Sequence, residues 1–536
     1  MGARTEGERL IMRKGYILPV LLAAVFALGS FSPVFAEIGN NTDTDDDYTY
    51  YYIDDDGKYV EVNGDNSTNT EEEDEDAAFF DTFSTSWFLD HPGQRVYTIT
   101  TASQLQGLAN LVNEGHFDGY AANQYEDFKG ITIRLGRNIT LKEDFTPIGR
   151  SEEIAFRGIF DGAGHTILGL SVNENGGYAG LFGYLDGTVR DLTVEGTVDS
   201  SGPVCGSLAG YVSENGIVWN CASGADVTGK AKTGGIAGFN DGGKIAGCMN
   251  YGDVKGTLKV GGVVGENWGT IMKCGNRGEV RSSVRGATTY GTGGVAGRSV
   301  SEYSVIDRCF NAGNIFSGTE GTGGVVGYMN ARGSEVTSSY NTGHIVVHNN
   351  SVIKTDNIRG YAGGIVGIAG VKGLKISDCY NAGSINNSDI SGGVIGRYLN
   401  ESKNNEEPFI KNNYYLNASR LKGVGSDFFG KAVNYREGTE KISPATLINA
   451  ASKLGPYYVE NTQSFYGSEG FPVLKWQVKL GKLETARLSN LTEKRQKSFD
   501  RFLLKHPTTS RKEWPILMFF DYSAFTTQAI GDFYEK

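Results

Sequence analysis

Gly261-Gly262-Val263-Val264-Gly265 is one of eight copies of a single phrase, two small residues, two apolar residues and a glycine. The others begin at Ala179 (AGLFG), Gly206 (GSLAG), Gly234 (GGIAG), Gly293 (GGVAG), Gly323 (GGVVG), Gly363 (GGIVG) and Gly392 (GGVIG), at steps of 27, 28, 27, 32, 30, 40 and 29 residues. A period of this size is the mark of a solenoid. A second phrase returns in register with the first: Asn220-Cys221, Gly247-Cys248, Lys273-Cys274, Arg308-Cys309, Ser338-Ser339 and Asp378-Cys379, mostly with asparagine two residues on. Apolar residues stand three places before the Cys position (Val218, Ile245, Ile271, Ile306, Val336, Ile376) and six after it (Val227, Val254, Val280, Ile315, Ile345, Ile385). These runs are short, β-branched and punctuated by Gly, Asn, Asp and Ser, so they read as strand, turn, strand. The reading is all-β: a parallel β-helix (solenoid) of roughly ten coils, with about three short strands to the coil and small helical caps.

Working outward, Thr101-Ala102-Ser103-Gln104 is a capping box, followed by Leu105, Leu108, Ala109 and Val112 at helical spacing and Gly115 as the stop. A solenoid's first rung exposes unpaired backbone and apolar surface, so this helix is expected to be its lid. At the other end, Ser443, Pro444 and Gly455 bracket a helix with Leu447, Ile448, Ala451 and Leu454 inward, expected to close the C-terminal end together with Trp476.

Arg13-Lys14, an apolar stretch from Tyr16 to Leu28 and Val34-Phe35-Ala36 before Glu37 predict a secretory signal peptide over 1–36. The stretch is shorter than the roughly 20 residues a membrane span needs, so no transmembrane span is expected after cleavage. Residues 37–90 form an acidic spacer: between Glu37 and Ala78 stand 16 Asp and Glu against Lys58, a net of −15 against −12 for the whole chain. Such a segment is expected to stay without structure. Asp54-Asp55-Asp56-Gly57 imitates a calcium loop, but Tyr52 would have to be its first ligand. The net acidity, without a basic stripe, argues against nucleic acid as a partner. Residues 91–172 hold the cap and first coils, 173–415 the repeats, 416–477 the C-terminal cap, and 478–536 a basic, partly helical tail.

Five of the six cysteines share one rung position. Rungs about 4.8 Å apart exceed the usual Cβ separation of a disulfide, about 3.8 Å, and no two cysteines have zinc-ligand spacing. They are expected to be buried free thiols packing as small apolar groups. Asn250, Asn276, Asn311, Asn341 and Asn381 make a second, structural ladder.

The helix, then FKGITIRLGRNITL (Phe128 to Leu141), FTPIGR (Phe145 to Arg150), FRGIFDGAGHTILGLSV (Phe156 to Val172) and the glycine phrases, with Gly180-Leu181-Phe182-Gly183 a literal instance, resemble the GLUG-motif repeat proteins of bacterial cell surfaces. The likeness runs from about Tyr97 to Gln477 and includes the closing Gly470-Phe471-Pro472-Val473-Leu474-Lys475-Trp476-Gln477. It implies a right-handed β-helix on an exported protein, secreted or at the cell surface, but no single activity, since such repeats occur in adhesin-like proteins and beside immunoglobulin-cleaving metallopeptidases. The H-E-x-x-H signature of that peptidase class is absent: no His is followed by Glu.

Asp226, Asp253 and Glu279 occupy equivalent places on three coils, near the spacing of a retaining carboxylate pair. This is the basis of an alternative reading as a polysaccharide lyase or glycosidase; solvation of turns, or a calcium-bridged ladder, would use the same residues. His344 and His348 are four apart, but in a strand this does not make them converge on a metal. The interval from the Cys position to the next glycine phrase is 13, 13, 19, 14, 24 and 13 residues, so two coils carry inserts at one corner. Repeat proteins place such inserts on a functional face. They bring Arg281, Arg285 and Tyr290 on one side and His348, Lys354, Asp356, Arg359 and Tyr361 on the other, predicting a groove for carbohydrate or a host or cell-surface protein. The expected function is adhesin-like binding without catalysis, and neither cofactor nor metal is called for.

Overall fold

The computed structural model describes residues 83–115, 126–283, 290–347, 360–370, 373–388, 390–399, 409–416, 421–426, 438–461 and 470–478, with five short strands nearer the N-terminus. Those five belong to a separate compact unit, Met1–Phe80. Arg9–Arg13 pairs antiparallel with Thr5–Glu6 and parallel with Ala36–Gly39, which pairs antiparallel with Tyr48–Ile53, and that strand with Tyr59–Val62. The spacer expected to lack structure therefore contains a hairpin. Its tyrosines and valines are strong strand formers, and they outweigh the charge around them locally. The apolar stretch read as a signal peptide, the Asp54–Gly57 loop and the basic tail lie outside the described residues.

The second unit is a parallel β-solenoid. Each coil contributes a strand–bend–strand pair to a 16-stranded glycine face, one strand to an 11-stranded face, and a second bent pair to a third, asparagine face. The 11-stranded face runs without a break from Val96–Ile99 to Phe409–Lys411, in keeping with the coil count read from the repeats. Register is strict: Val218, Ile245, Ile271, Ile306, Val336, Ile376 and Ile410 pair in succession and all face the interior. They pack on the apolar pairs of the glycine phrase, from Leu181-Phe182 to Val394-Ile395, in one continuous core. Val227 joins that main core, but Val254, Val280, Ile315 and Ile345 form a side cluster with Val260, Val347 and Ala362, so the cross-section has a second lobe.

The corner ahead of each Cys position is a left-handed residue. Asn220, Gly247, Lys273, Arg308, Ser338 and Asp378 have φ between 46° and 66°, a conformation most L-residues adopt only under tertiary constraint. The six cysteines are free and buried, as expected. Packing as mere apolar groups is what the structure corrects. The Cys309 thiol donates to the Asp307 carbonyl at 3.3 Å and accepts from the Cys274 N–H at 3.4 Å. Ser339 does the same with a hydroxyl, donating to the Thr337 carbonyl at 2.8 Å and accepting from the Cys309 N–H at 3.0 Å. The left-handed turn leaves an amide without a backbone acceptor, while the carbonyl the thiol reaches also accepts a backbone N–H, as Asp307 does from Lys273 at 3.0 Å, and the position selects a short side chain that both donates and accepts.

The asparagine ladder is continuous. Each Nδ2 from Asn250 to Asn341 donates to the next Oδ1 at 2.8 Å and to its own coil's glycine carbonyl two residues on, at 2.7 to 2.9 Å. The ladder also explains the doubled glycine. A Cβ on Gly262 would lie 2.3 Å from Asn276 Cγ, and one on Gly294 2.2 Å from Asn311 Cγ. The two phrases keep step because they touch.

Helix α1 spans Ser86–Leu89 and α2 Ala102–Asn113. The Thr101 capping box is formed, and α2 buries Leu105, Leu108, Ala109 and Val112 in the main core as the expected lid. At the other end the single expected helix is broken into α3 (Pro444–Ile448) and α4 (Ala451–Leu454). These helices and the hairpin Tyr458–Asn461/Gly470–Leu474 lie along the side of the asparagine face, not over its end. They cover an outward column of stacked rings, Phe310, Tyr340 and Tyr380, with centroids 5.3 and 4.8 Å apart. Trp476 Nε1 reaches the Arg308 carbonyl at 2.9 Å, the Tyr380 hydroxyl donates to the Pro472 carbonyl at 2.5 Å, and Gln477 Nε2 donates to the Tyr340 hydroxyl at 2.8 Å. The segment is a lateral strap, because the aromatic column it needs to bury runs parallel to the solenoid axis.

Candidate ligand-binding groove

The insert residues do not assemble as expected. Arg285, His348, Lys354, Asp356 and Arg359 lie outside the described residues. Arg281 sits in strand Val280–Ser282, paired with Glu279 at 2.6 Å, its guanidinium 4.3 Å from the centre of the Phe316 ring. Tyr290 precedes strand Gly291–Gly293 and is half-buried. Tyr361 is only 6% exposed. It faces the Arg397 guanidinium at 4.5 Å and packs with Tyr328 and Ile368, because the two strands of the glycine face fold toward each other across their bend. Tyr361 is a packing residue.

The acid ladder is also structural. Asp226 Oδ1 accepts the Asp253 N–H and Asp253 Oδ1 the Glu279 N–H, both at 3.0 Å. Asn314 Oδ1 accepts the His344 N–H in the same way at 3.1 Å. The position needs an acceptor for the next coil's amide, which accounts for the recurrence of Asp there. His344 Nδ1 lies 2.6 Å from Ser384 Oγ, and burial holds its pKa below the usual imidazole value. Among the described residues, no three His, Cys, Asp or Glu side chains are grouped to hold a metal. On the glycine face, Glu266 is 1% exposed between Lys259 at 2.8 Å, Lys232 at 3.0 Å and Arg298 at 3.1 Å. Burial pushes its carboxyl up, but the lysines outweigh that and hold it below the ordinary range.

Among the described residues, a groove of about 470 Å³ opens on the outer surface of the 11-stranded face. Its floor is four consecutive strands, Val305–Asp307, Glu335–Thr337, Lys375–Ser377 and Phe409–Lys411. In each the middle residue points into the core, so the flanking two point out. One outward column therefore reads Val305, Glu335, Lys375, Phe409 and the other Asp307, Thr337, Ser377, Lys411, of which Ser377 is only 3% exposed. Ser338 and Asp378, at the left-handed corners, edge this floor, and Tyr457 of the strap is its wall. The Arg308 guanidinium lies 4.6 Å from the centre of the Tyr457 ring, which is 43% exposed; Phe409 is 51% exposed.

The polar floor is ordered. The Thr337 hydroxyl donates to Asp307 Oδ1 at 2.8 Å and Arg308 Nε to Asp307 Oδ2 at 2.6 Å. Lys375 Nζ pairs with Glu335 at 3.0 Å, and Asn412 Nδ2 donates to Asp378 Oδ1 at 2.7 Å. Two exposed rings, hydroxyls and charges of both signs can hold a polyol by stacking and hydrogen bonds together. Sequence reasoning missed this site. Its visible signal was the polar–apolar–polar triplet around Ile306, Val336, Ile376 and Ile410; nothing local announces that Tyr457 stands beside them.

The class of the protein follows from its strand order: an all-β parallel β-solenoid. No protein-family model matches the chain. A stretch of 99 residues is 36% identical to Halomucin of Haloquadratum walsbyi, a match that takes in 18% of this chain and 1% of the length of that relative. A crystal structure of a "putative immunoglobulin A1 protease" from Bacteroides ovatus is similar with a TM-score of 0.39 at 20% identity, over 71% of this chain and 92% of that one. Among the described residues no helix is long and apolar enough to cross a membrane.

Proposed function

We propose that this chain is an exported or cell-surface display protein of the GLUG-repeat kind, whose solenoid presents a carbohydrate-binding groove and does no chemistry there. The observation that carries the reading is the groove between the 11-stranded face and the strap, where Phe409 and Tyr457 stand exposed over a floor of hydroxyls and paired charges. Rings beside hydrogen-bonding groups suit the mixed apolar and polar surface of a sugar. Of the acids that could have supported a glycosidase, Asp226 and Asp253 hold backbone amides and Glu279 pairs with Arg281. The export arm of the reading rests on the Arg13 to Ala36 pattern and the paired repeats.

The test is an array of polysaccharides and matrix proteins probed with the full chain, with reducing-sugar and unsaturated-product assays alongside. Glycan binding without product is expected, falling at least tenfold in Phe409→Ala/Tyr457→Ala. A double variant that keeps its circular dichroism and binds as tightly as the parent overturns the placement of the site. Product formation overturns the non-catalytic reading.

A further inference from the structure

We propose that the ligand of this groove is a linear, carboxylate-bearing glycan, lying along the solenoid axis with a carboxylate on Lys411; this rests on the carbohydrate-binding reading above. The direction comes from the floor. Its four strands run across the groove, so equivalent side chains repeat along the axis at the rung spacing of about 4.8 Å, and the floor offers about 14 Å of length. A sugar chain extended along the axis meets the next Asp307-Thr337-Ser377-Lys411 position at nearly every unit. A chain laid across the strands would meet only two outward residues before reaching the strap.

The charge comes from a comparison of partners. Every carboxylate of the groove is already engaged: Asp307 by Arg308 and Thr337, Glu335 by Lys375, and Asp378 by Asn412. The Lys411 ammonium is exposed and has no ion pair among the described residues. The one charge on this floor that the protein leaves for a ligand is positive, and it lies at the same end as the exposed Phe409 ring. A uronate unit suits both, its carboxylate on Lys411 and its C–H face on the ring. Across the floor, Tyr457 carries a guanidinium on its ring, which leaves further ring surface for a second sugar.

The experiment is titration calorimetry of the full chain with oligogalacturonates and hyaluronan fragments of increasing length, and with neutral galactose oligomers. We expect affinity to rise with length and level off near four units, to be at least tenfold weaker for neutral chains, and to weaken with added salt. Lys411→Glu should remove the preference for acidic chains, while Lys244→Glu, exposed on the same face outside the groove, should leave it. Circular dichroism checks both folds, and neither side chain is buried. Equal binding of neutral and acidic chains, or an acid preference that survives Lys411→Glu, overturns this inference and leaves the carbohydrate reading standing. If the chain binds no glycan at all, both fall.

Discussion

Replacing Cys309 by serine should disturb the solenoid less than replacing it by alanine, although the site is fully buried. If the thiol were an apolar filler the order would be reversed, because a buried hydroxyl without a partner costs about 1 to 3 kcal/mol. The structure gives the opposite sign. In Cys309→Ala the Cys274 N–H loses its acceptor, while the Asp307 carbonyl loses the thiol but keeps the Lys273 N–H. One stranded buried amide costs about 1 to 3 kcal/mol, and the small cavity adds about 1 kcal/mol, for a loss of about 2 to 4 kcal/mol. In Cys309→Ser both bonds can persist, as they do at Ser339 one coil on, and the loss should be about 1 kcal/mol. Urea unfolding followed by circular dichroism would measure the difference as a change in midpoint at constant slope. Hydrogen exchange at the Cys274 amide would localise it: unchanged in the serine variant, faster in the alanine one. An alanine variant as stable as the serine variant, with a protected Cys274 amide, would refute the hydrogen-bonded reading of the whole ladder.

Gly294→Ala puts a Cβ 2.2 Å from Asn311 Cγ and 2.3 Å from the Gly324 carbonyl, and should cost about 3 kcal/mol or more by overpacking; Gly176→Ala, with nothing within 4 Å, should be near neutral in the same melt. Burial lifts the Cys205 thiol to about 12 from 9.0, and raises Cys274 and Cys379 as well. Above about pH 9 the unfolded chain releases these protons and the folded chain does not, so stability, complete below that pH, should decline as pH rises toward 12, by up to about 1.4 kcal/mol per unit for each thiol; Cys205→Ser should flatten the decline in pH-dependent urea midpoints. Trp476→Ala removes the bond to the Arg308 carbonyl and the ring beside Phe310, and should free the strap for limited proteolysis while the solenoid's circular dichroism persists. Asp253→Asn keeps an acceptor for the Glu279 amide and should shift the urea midpoint by less than about 1 kcal/mol, whereas Asp253→Ala should lose more.

The repeats alone determined the parallel solenoid, its register and its buried column, because a period near 28 residues with apolar residues at fixed offsets can be buried only by stacking one coil on the next. The capping box at Thr101 was legible because its two ends lie three residues apart, and the Asn ladder because each asparagine stands two residues after the Cys position of its coil. The hydrogen-bonding role of the cysteines was half visible, in the serine at 339 and the mixed Asn, Gly, Lys, Arg, Ser and Asp ahead of them, but it becomes clear only when the left-handed corner shows which backbone amide it leaves without a backbone acceptor. Tyr361 could not be assigned from sequence, since an outward residue on a single sheet is exposed while on two strands folded face to face it is buried. The groove belongs wholly to tertiary structure. Its floor is spread over four coils, from Val305 to Lys411, and its wall, Tyr457, arrives only because the chain turns back along the aromatic column of Phe310, Tyr340 and Tyr380. No periodicity relates a strap to the coils it covers. Its place is set by which apolar surface is left unburied once the coils have stacked.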